Sequence, residues 1–226
     1  MKILSFVSLL FLASLSSCIF VGGNNGISWS NQQVRGSGIV LTQDRPVMAF
    51  QSIAVNNSAN VTLRQSNEYR VVVRTDDNVM PYITTQVQNG QLVISNTVVG
   101  SLNPTFLEVE VSTPNLTNIV ANGSGNIGCA TPFSFINLEV SLNGSGIIYL
   151  RGTANRLQTV LLGSGSIRAF DLPAERIDTR LTGSGNIEVN ALQDLYANIS
   201  GSGNIYYIGS PRLQMNVSGS GKVIRR

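Results

Sequence analysis

An all-β solenoid is the fold class this sequence predicts, and three observations predict it. Gly-Ser-Gly occurs six times, starting at Gly123, Gly144, Gly163, Gly183, Gly201 and Gly219, so the starting numbers rise by 21, 19, 20, 18 and 18. A period near 20 marks an architecture of stacked repeats. The flanks of each copy alternate: Leu195, Ala197, Ile199, Gly201, Gly203, Ile205 and Tyr207 share one parity, and Tyr196, Asn198, Ser200, Ser202, Asn204 and Tyr206 the other. Period-two alternation is the pattern of a half-buried strand. Finally, no stretch beyond Ser17 sustains a helical period. Each repeat therefore reads as one parallel rung, with the period of the glycines as its length.

The parity assigns the glycines to the inside of the turn. Gly123, Gly125, Gly144, Gly146, Gly163, Gly165, Gly183, Gly185, Gly201, Gly203, Gly219 and Gly221 fall inward, and the serine between each pair falls outward. Without a Cβ, glycine lets a strand bend tightly against the rung below. A single rung cannot offset the entropy of ordering its backbone with its few inward aliphatics, so stacking must supply the rest. A flexible Gly-Ser linker is excluded because linkers carry no alternating aliphatics.

The front of the chain reads differently. Residues 1–17 form a secretory leader, with Lys2 ahead of the apolar run Ile3–Leu15 and small residues at the end. It is too short to span a membrane as a helix. Leu15-Ser16-Ser17-Cys18 resembles the bacterial lipobox, which implies lipidation at Cys18 and membrane attachment through that lipid. Ile19 in place of Asp after the cysteine implies the outer membrane of a diderm cell. Residues 18–33, rich in Gly and Asn, read as a lipidated tether, and 34–226 as the folded domain. Hydrophobic residues at 42% can fill a core, and charged residues at 12% keep stacked polar columns from repelling one another. A net charge of +3 with no basic run beyond the terminal Arg225-Arg226 argues against nucleic acid as a partner.

The middle holds a degenerate rung, Ile53–Leu63, in which Asn57-Ser58-Ala59 stands where Gly-Ser-Gly would be. An insertion follows, with strands expected at Arg70–Arg74, Tyr82–Val87, Gln91–Asn96 and Phe106–Ser112. Asn89-Gly90 carries the turn signal of a β-hairpin between the second and third of these. Pro81, Pro104 and Pro114 stand at strand margins, where a residue without an N–H belongs.

The ordered set of the Ile53–Leu63 rung, Val71–Arg74, Met80-Pro81-Tyr82-Ile83, Gly90–Ile94, Pro114-Asn115-Leu116 and Gly123–Ile127 resembles the bacterial head GIN domain over about Val34 to Arg226. The resemblance implies a right-handed parallel β-helix-like fold on a secreted or lipid-anchored protein with an adhesin label. It brings no catalytic residue.

Aligning rungs on their first glycine yields two outward columns. One, five positions before it, holds Asn118, Glu139, Gln158, Asp178, Tyr196 and Gln214; the other, five after it, holds Gly128, Tyr149, Arg168, Glu188, Tyr206 and Ile224. Tyr149, Arg168, Tyr196 and Tyr206 are the candidate ligand-binding residues, the tyrosines as stacking platforms for glycan or protein. An ion pair between Arg168 and Glu188 is expected on adjacent rungs. Glu139 and Asp178, roughly 9.6 Å apart over two rung spacings, raise the alternative of a polysaccharide-degrading enzyme. Burial and a shared groove would be required for that chemistry.

Cys129 shares the inward parity of Ile127 and reads as a small buried hydrophobe; with no histidine in the chain, nothing activates it as a nucleophile. Asp76-Asp77 reads as a solvated turn. No Asp lies within the glycine repeats for calcium, no His is present for zinc, and no phosphate loop follows the glycines, so no cofactor or metal is expected. The reading is a lipid-anchored envelope solenoid that recognises surfaces or serves structurally, without catalysis. Exposed end rungs make self-association an expectation as well.

Overall fold

Register sets the architecture. Gly144 lies opposite Gly163, Gly163 opposite Gly183, Gly183 opposite Gly201 and Gly201 opposite Gly219, every pair joining parallel strands. The computed structural model describes residues 32–97 and 100–226, and its stacked parallel coils form a β-solenoid of about six turns. The leader, Cys18 and the tether up to residue 31 lie outside the described residues.

At the N-terminal end, β1 (Gln32–Arg35) begins inside the segment expected as tether. β2 (Val40–Arg45), β3 (Ser52–Val55), β4 (Asn60–Gln65) and β5 (Arg70–Asp76) follow. A short 3-10 turn, Met80–Tyr82, takes Pro81 into its first turn, where a missing N–H costs nothing. β6 (Ile83–Gln88) and β7 (Gln91–Asn96) form the hairpin, with φ of 51° at Asn89 and 74° at Gly90. Two successive left-handed residues give the turn whose twist matches the strands. β8 (Gly100–Asn103) pairs in parallel with β1 as a separate two-stranded sheet, and β9 (Leu107–Thr113) completes the insertion.

The insertion is not a lateral appendage. β3 pairs in parallel with β7 and β4 with β9, so inserted strands add a rung outside the degenerate one. Antiparallel β5 then covers β9, and β2 covers β5. The chain returns across β3 and β4 to lay β10 (Asn118–Ala121) and β11 (Ile127–Cys129) on their other edge. Both pairings keep the same offset, Ser52 opposite Asn118 and Val61 opposite Ile127.

The full repeats are β12 (Phe133–Gly144), β13 (Ile147–Tyr149), β14 (Gly152–Gly163), β15 (Ser166–Gly183), β16 (Asn186–Gly201), β17 (Asn204–Gly209), β18 (Arg212–Gly219) and β19 (Lys222–Arg225). Leu138, Leu142, Ile148, Leu157, Leu161, Ile167, Ile177, Leu181 and Ile187 are fully buried between them, forming one continuous core. Between β15 and β16 the register slips twice, at Ala169/Pro173 and at Ala174/Arg176. The later strand thus takes a shorter path through that bend, which is why the repeat interval contracts there.

The corner explains the glycines. Those that open the copies at Gly144, Gly163, Gly183, Gly201 and Gly219 have φ between 115° and 150°, backbone that a Cβ would strain. Of these, Gly219 on the end rung is exposed and the other four are half-buried. Their partners Gly146, Gly165, Gly185, Gly203 and Gly221 are buried; Gly123 and Gly125 are half-buried, and the six serines between the pairs are exposed. The carbonyl of Gly163 accepts from Ser184 N at 3.0 Å and Gly185 N at 3.1 Å, and Gly144 and Gly183 accept likewise from the rung above them. A side chain would hold successive corners too far apart for these bonds.

On three rungs the asparagine after the corner locks the exit. Asn126 Oδ1 accepts Ile147 N at 3.0 Å, Asn204 Oδ1 accepts Lys222 N at 3.1 Å, and Asn60 Oδ1 accepts Asn126 N at 3.0 Å. At the C-terminal end Leu213, Met215 and Val217 lie opposite buried Leu195, Ala197 and Ile199, and they are exposed because no further rung among the described residues covers β18. Arg225 reaches back across this end to donate to Ser210 Oγ at 2.8 Å.

Candidate functional site

Both outward columns exist as hydrogen-bonded registers. Beyond the corner, Gly128 lies opposite Tyr149, then Arg168, Glu188, Tyr206 and Ile224 on successive rungs. Before the corner the order is Asn118, Glu139, Gln158, Asp178, Tyr196 and Gln214. Tyr149, Arg168 and Tyr206 thus share one face. Tyr196 stands on the other side of the Gly-Ser-Gly corner and is not brought to them.

On the first face Arg168 departs from expectation. Its Nη1 donates to the Tyr149 hydroxyl at 2.8 Å and its guanidinium carbon sits 5.2 Å from the Tyr149 ring centroid. No ion pair to Glu188 forms among the described residues. The reason is energetic: an exposed ion pair is worth little after screening, while the ring face and the hydroxyl together satisfy the cation twice. At the far end Arg226 lies over the Tyr206 ring at 4.5 Å, a partner that no sequence column could indicate because it comes from a neighbouring position on the last rung. A recess of about 390 Å³ lies alongside, lined by Cys129, Tyr149, Arg168, Phe170 and Glu188 among others. Cys129 is half-buried; burial pushes its thiol above the ordinary value, against a backbone hydrogen bond from Arg151. The thiolate needed for nucleophilic chemistry is disfavoured there.

The second face holds the two acids. Glu139 is exposed and borders a recess of about 370 Å³ with Asn137, Arg156 and Gln158. Asp178 is half-buried and borders a different recess of about 330 Å³ with Arg156, Arg176 and Tyr196. Gln158 stands between them in register. The carboxylates therefore do not flank a single bond, as a glycosidase pair must. Sequence reasoning missed the column beside them. Arg156, Arg176, Asp194 and Arg212 stack on successive rungs, and Asp194, almost fully buried, pairs with Arg212 Nη2 at 2.7 Å and with Arg176 Nε at 3.7 Å. The signal was present in the repeat alignment, seven positions before each first glycine.

Asp76 corrects a second expectation, that of a solvated turn. It is wholly buried, and its carboxylate accepts Gly38 N at 2.8 Å, Thr105 N at 2.8 Å and Thr105 Oγ1 at 2.6 Å. Asp77 accepts from Ser37 Oγ and Asn78 N. Both acids tie loops together. Among the described residues no three His, Cys, Asp or Glu side chains group as a metal site, and no helix is long and apolar enough to cross a membrane.

Residues 49–211 match the family described as "Putative auto-transporter adhesin, head GIN domain". No curated protein matches the chain. Among solved structures, a "putative adhesin" from Bacteroides fragilis is similar with TM-score 0.72 at 24% identity, covering 85% of this chain and 100% of that one. A "putative lipid binding protein" from Parabacteroides distasonis is similar with TM-score 0.64 at 25% identity, covering 86% and 100%. A "putative adhesin" from Parabacteroides merdae has TM-score 0.55 at 23% identity, covering 86% and 99%. These likenesses concern the fold.

Proposed function

The chain belongs to the head GIN domain family, and from that premise we propose that it is a lipid-anchored column displayed at the bacterial cell envelope, acting by surface recognition without catalysis. One observation carries the reading: the outward columns hold side chains at a fixed strand spacing, with Tyr149 braced by Arg168 and Tyr206 by Arg226. A rigid stack of weak contact points suits multivalent binding, where repetition raises avidity without any strong single contact. The separation of Glu139 from Asp178 into different recesses supports a passive role.

The anchor is tested through Cys18. The Cys18→Ser variant should leave the membrane fraction and appear in the soluble one; continued co-sedimentation with membranes would refute the anchor. Recognition is tested by adhesion. Cells displaying the full chain should adhere to surfaces coated with glycan or host protein, and equal adhesion by cells lacking it would overturn the role.

A further inference from the structure

The column beyond the corner contains a gap. Gly128 stands between Thr62 of β4 on one rung and Tyr149 of β13 on the next. A Cβ built at Gly128 would meet nothing nearer than Tyr149 Cβ at 4.0 Å. Thr62 and Tyr149 are thus separated by two rung spacings, roughly 9.6 Å, and the residue between them carries no side chain. The slot is one side-chain layer thick, and its floor is backbone.

Its two walls differ. Arg168 occupies the rung on the opposite side of Tyr149 and lies over that ring, holding its hydroxyl at 2.8 Å. Gly128 presents no side chain beside Tyr149 on the other rung, and Tyr149 is 43% exposed. An aromatic ring fixed from behind is a stacking platform that needs no ordering on binding.

The surroundings are polar, with the exposed Arg151 two positions beyond Tyr149. Asn126, exposed and two positions before Gly128, uses Oδ1 for the Ile147 N–H, and no partner for its Nδ2 appears among the described hydrogen bonds. Thr62 Oγ1 donates to Glu108 Oε1 at 3.4 Å. Glu108 and Glu110 are each paired, with Arg74 and Arg64 at 3.1 Å. Neither wall of the slot carries a free charge that would call for an anionic or cationic ligand.

We propose that this slot is a carbohydrate subsite, in which an uncharged pyranose ring stacks on the Tyr149 ring above Gly128 and offers hydroxyls to Asn126. The proposal rests on the recognition reading and names its ligand class. A slab-like ring with an apolar face fits a slot one layer thick, because carbon contacts at about 3.5–4.0 Å on each side take up about 7–8 Å of the roughly 9.6 Å and the puckered ring itself occupies the rest.

The test uses wild-type full chain, Tyr149→Ala and Gly128→Val, titrated by calorimetry with cellotetraose, chitotetraose and β-1,4-galactotetraose. Gly128→Val should fold as well as wild type, since open space surrounds the new side chain and valine suits a strand. At least one tetrasaccharide should bind wild type, and both variants should bind it about tenfold more weakly, the loss expected for one aromatic stacking contact. If none binds wild type, the subsite is overturned, and cell adhesion decides the wider reading separately. If a tetrasaccharide binds but Gly128→Val and Tyr149→Ala leave its affinity unchanged, sugar binds elsewhere; the subsite falls while recognition stands.

Discussion

Gly185→Val is expected to destabilise the fold by at least about 3 kcal/mol, the upper range for overpacking a tight site. A Cβ at Gly185 would overlap the Gly165 carbonyl oxygen and lie 2.7 Å from Leu161 Cδ2. The leucine can rotate, but the carbonyl cannot retreat, because Asn186 N holds it across the rung at 3.1 Å. Valine brings two further methyl groups into the same corner. For a domain of this size the loss corresponds to a fall in Tm of about 6–12 °C. Ser184→Ala, the adjacent and exposed position, should change stability by no more than about 0.5 kcal/mol. Thermal melts of the two variants side by side check this; similar melting of both would refute the inward packing of the second glycine.

Asp76→Ala is expected to cost about 3 kcal/mol, because it removes a buried carboxylate that accepts three hydrogen bonds at the base of exposed loops, and a hydrogen bond to a charged group is worth about 1.5–3 kcal/mol before its donor is rehydrated. Gly38 N, Thr105 N and Thr105 Oγ1 all lose their acceptor. Chemical denaturation should show a lower midpoint with an unchanged slope. Burial alone would raise the Asp76 carboxyl, but hydrogen bonds from the Thr105 side chain and the Gly38, Thr105 and Phe106 backbone outweigh it and hold the pKa below the ordinary 3.8. A depressed folded pKa gives stability that is fully present above the unfolded value and lost as pH falls through the folded one. Acid unfolding of wild type should therefore steepen below pH 3.8, and Asp76→Asn should remove that part of the dependence. An identical acid limb in both would show that the carboxylate contributes nothing.

Much of the repeat region was legible residue by residue. The column Asn118, Glu139, Gln158, Asp178, Tyr196 and Gln214, obtained by aligning glycines, is the hydrogen-bonded register of the molecule. It was readable because each rung pairs with the next rung in the chain, so one offset and one parity suffice. The hairpin was readable for a local reason, since Asn89-Gly90 determines its own backbone. β2 was not readable: its Val40, Leu41 and Thr42 are exposed without alternation, and its only partner among the described strands is β5. The arrangement of β7 and β9 against β3 and β4 was equally hidden, because it depends on strands far apart in the chain.

The candidate site divides along the same line. That Tyr149, Arg168, Glu188 and Tyr206 share a face follows from parity, and parity is written in the chain. That Arg168 chooses Tyr149 over Glu188, that Tyr196 lies across the corner, and that a Cβ at Gly128 would meet only Tyr149 are outcomes of geometry between rungs.

Period and alternation were enough to specify a solenoid, its corners and the direction of its side chains, because these depend on neighbours a near-constant distance along the chain. Partner choice among equally placed side chains, the burial of Asp76 and the closing of the N-terminal end by the insertion depend on competition between groups that meet only once the rungs are stacked.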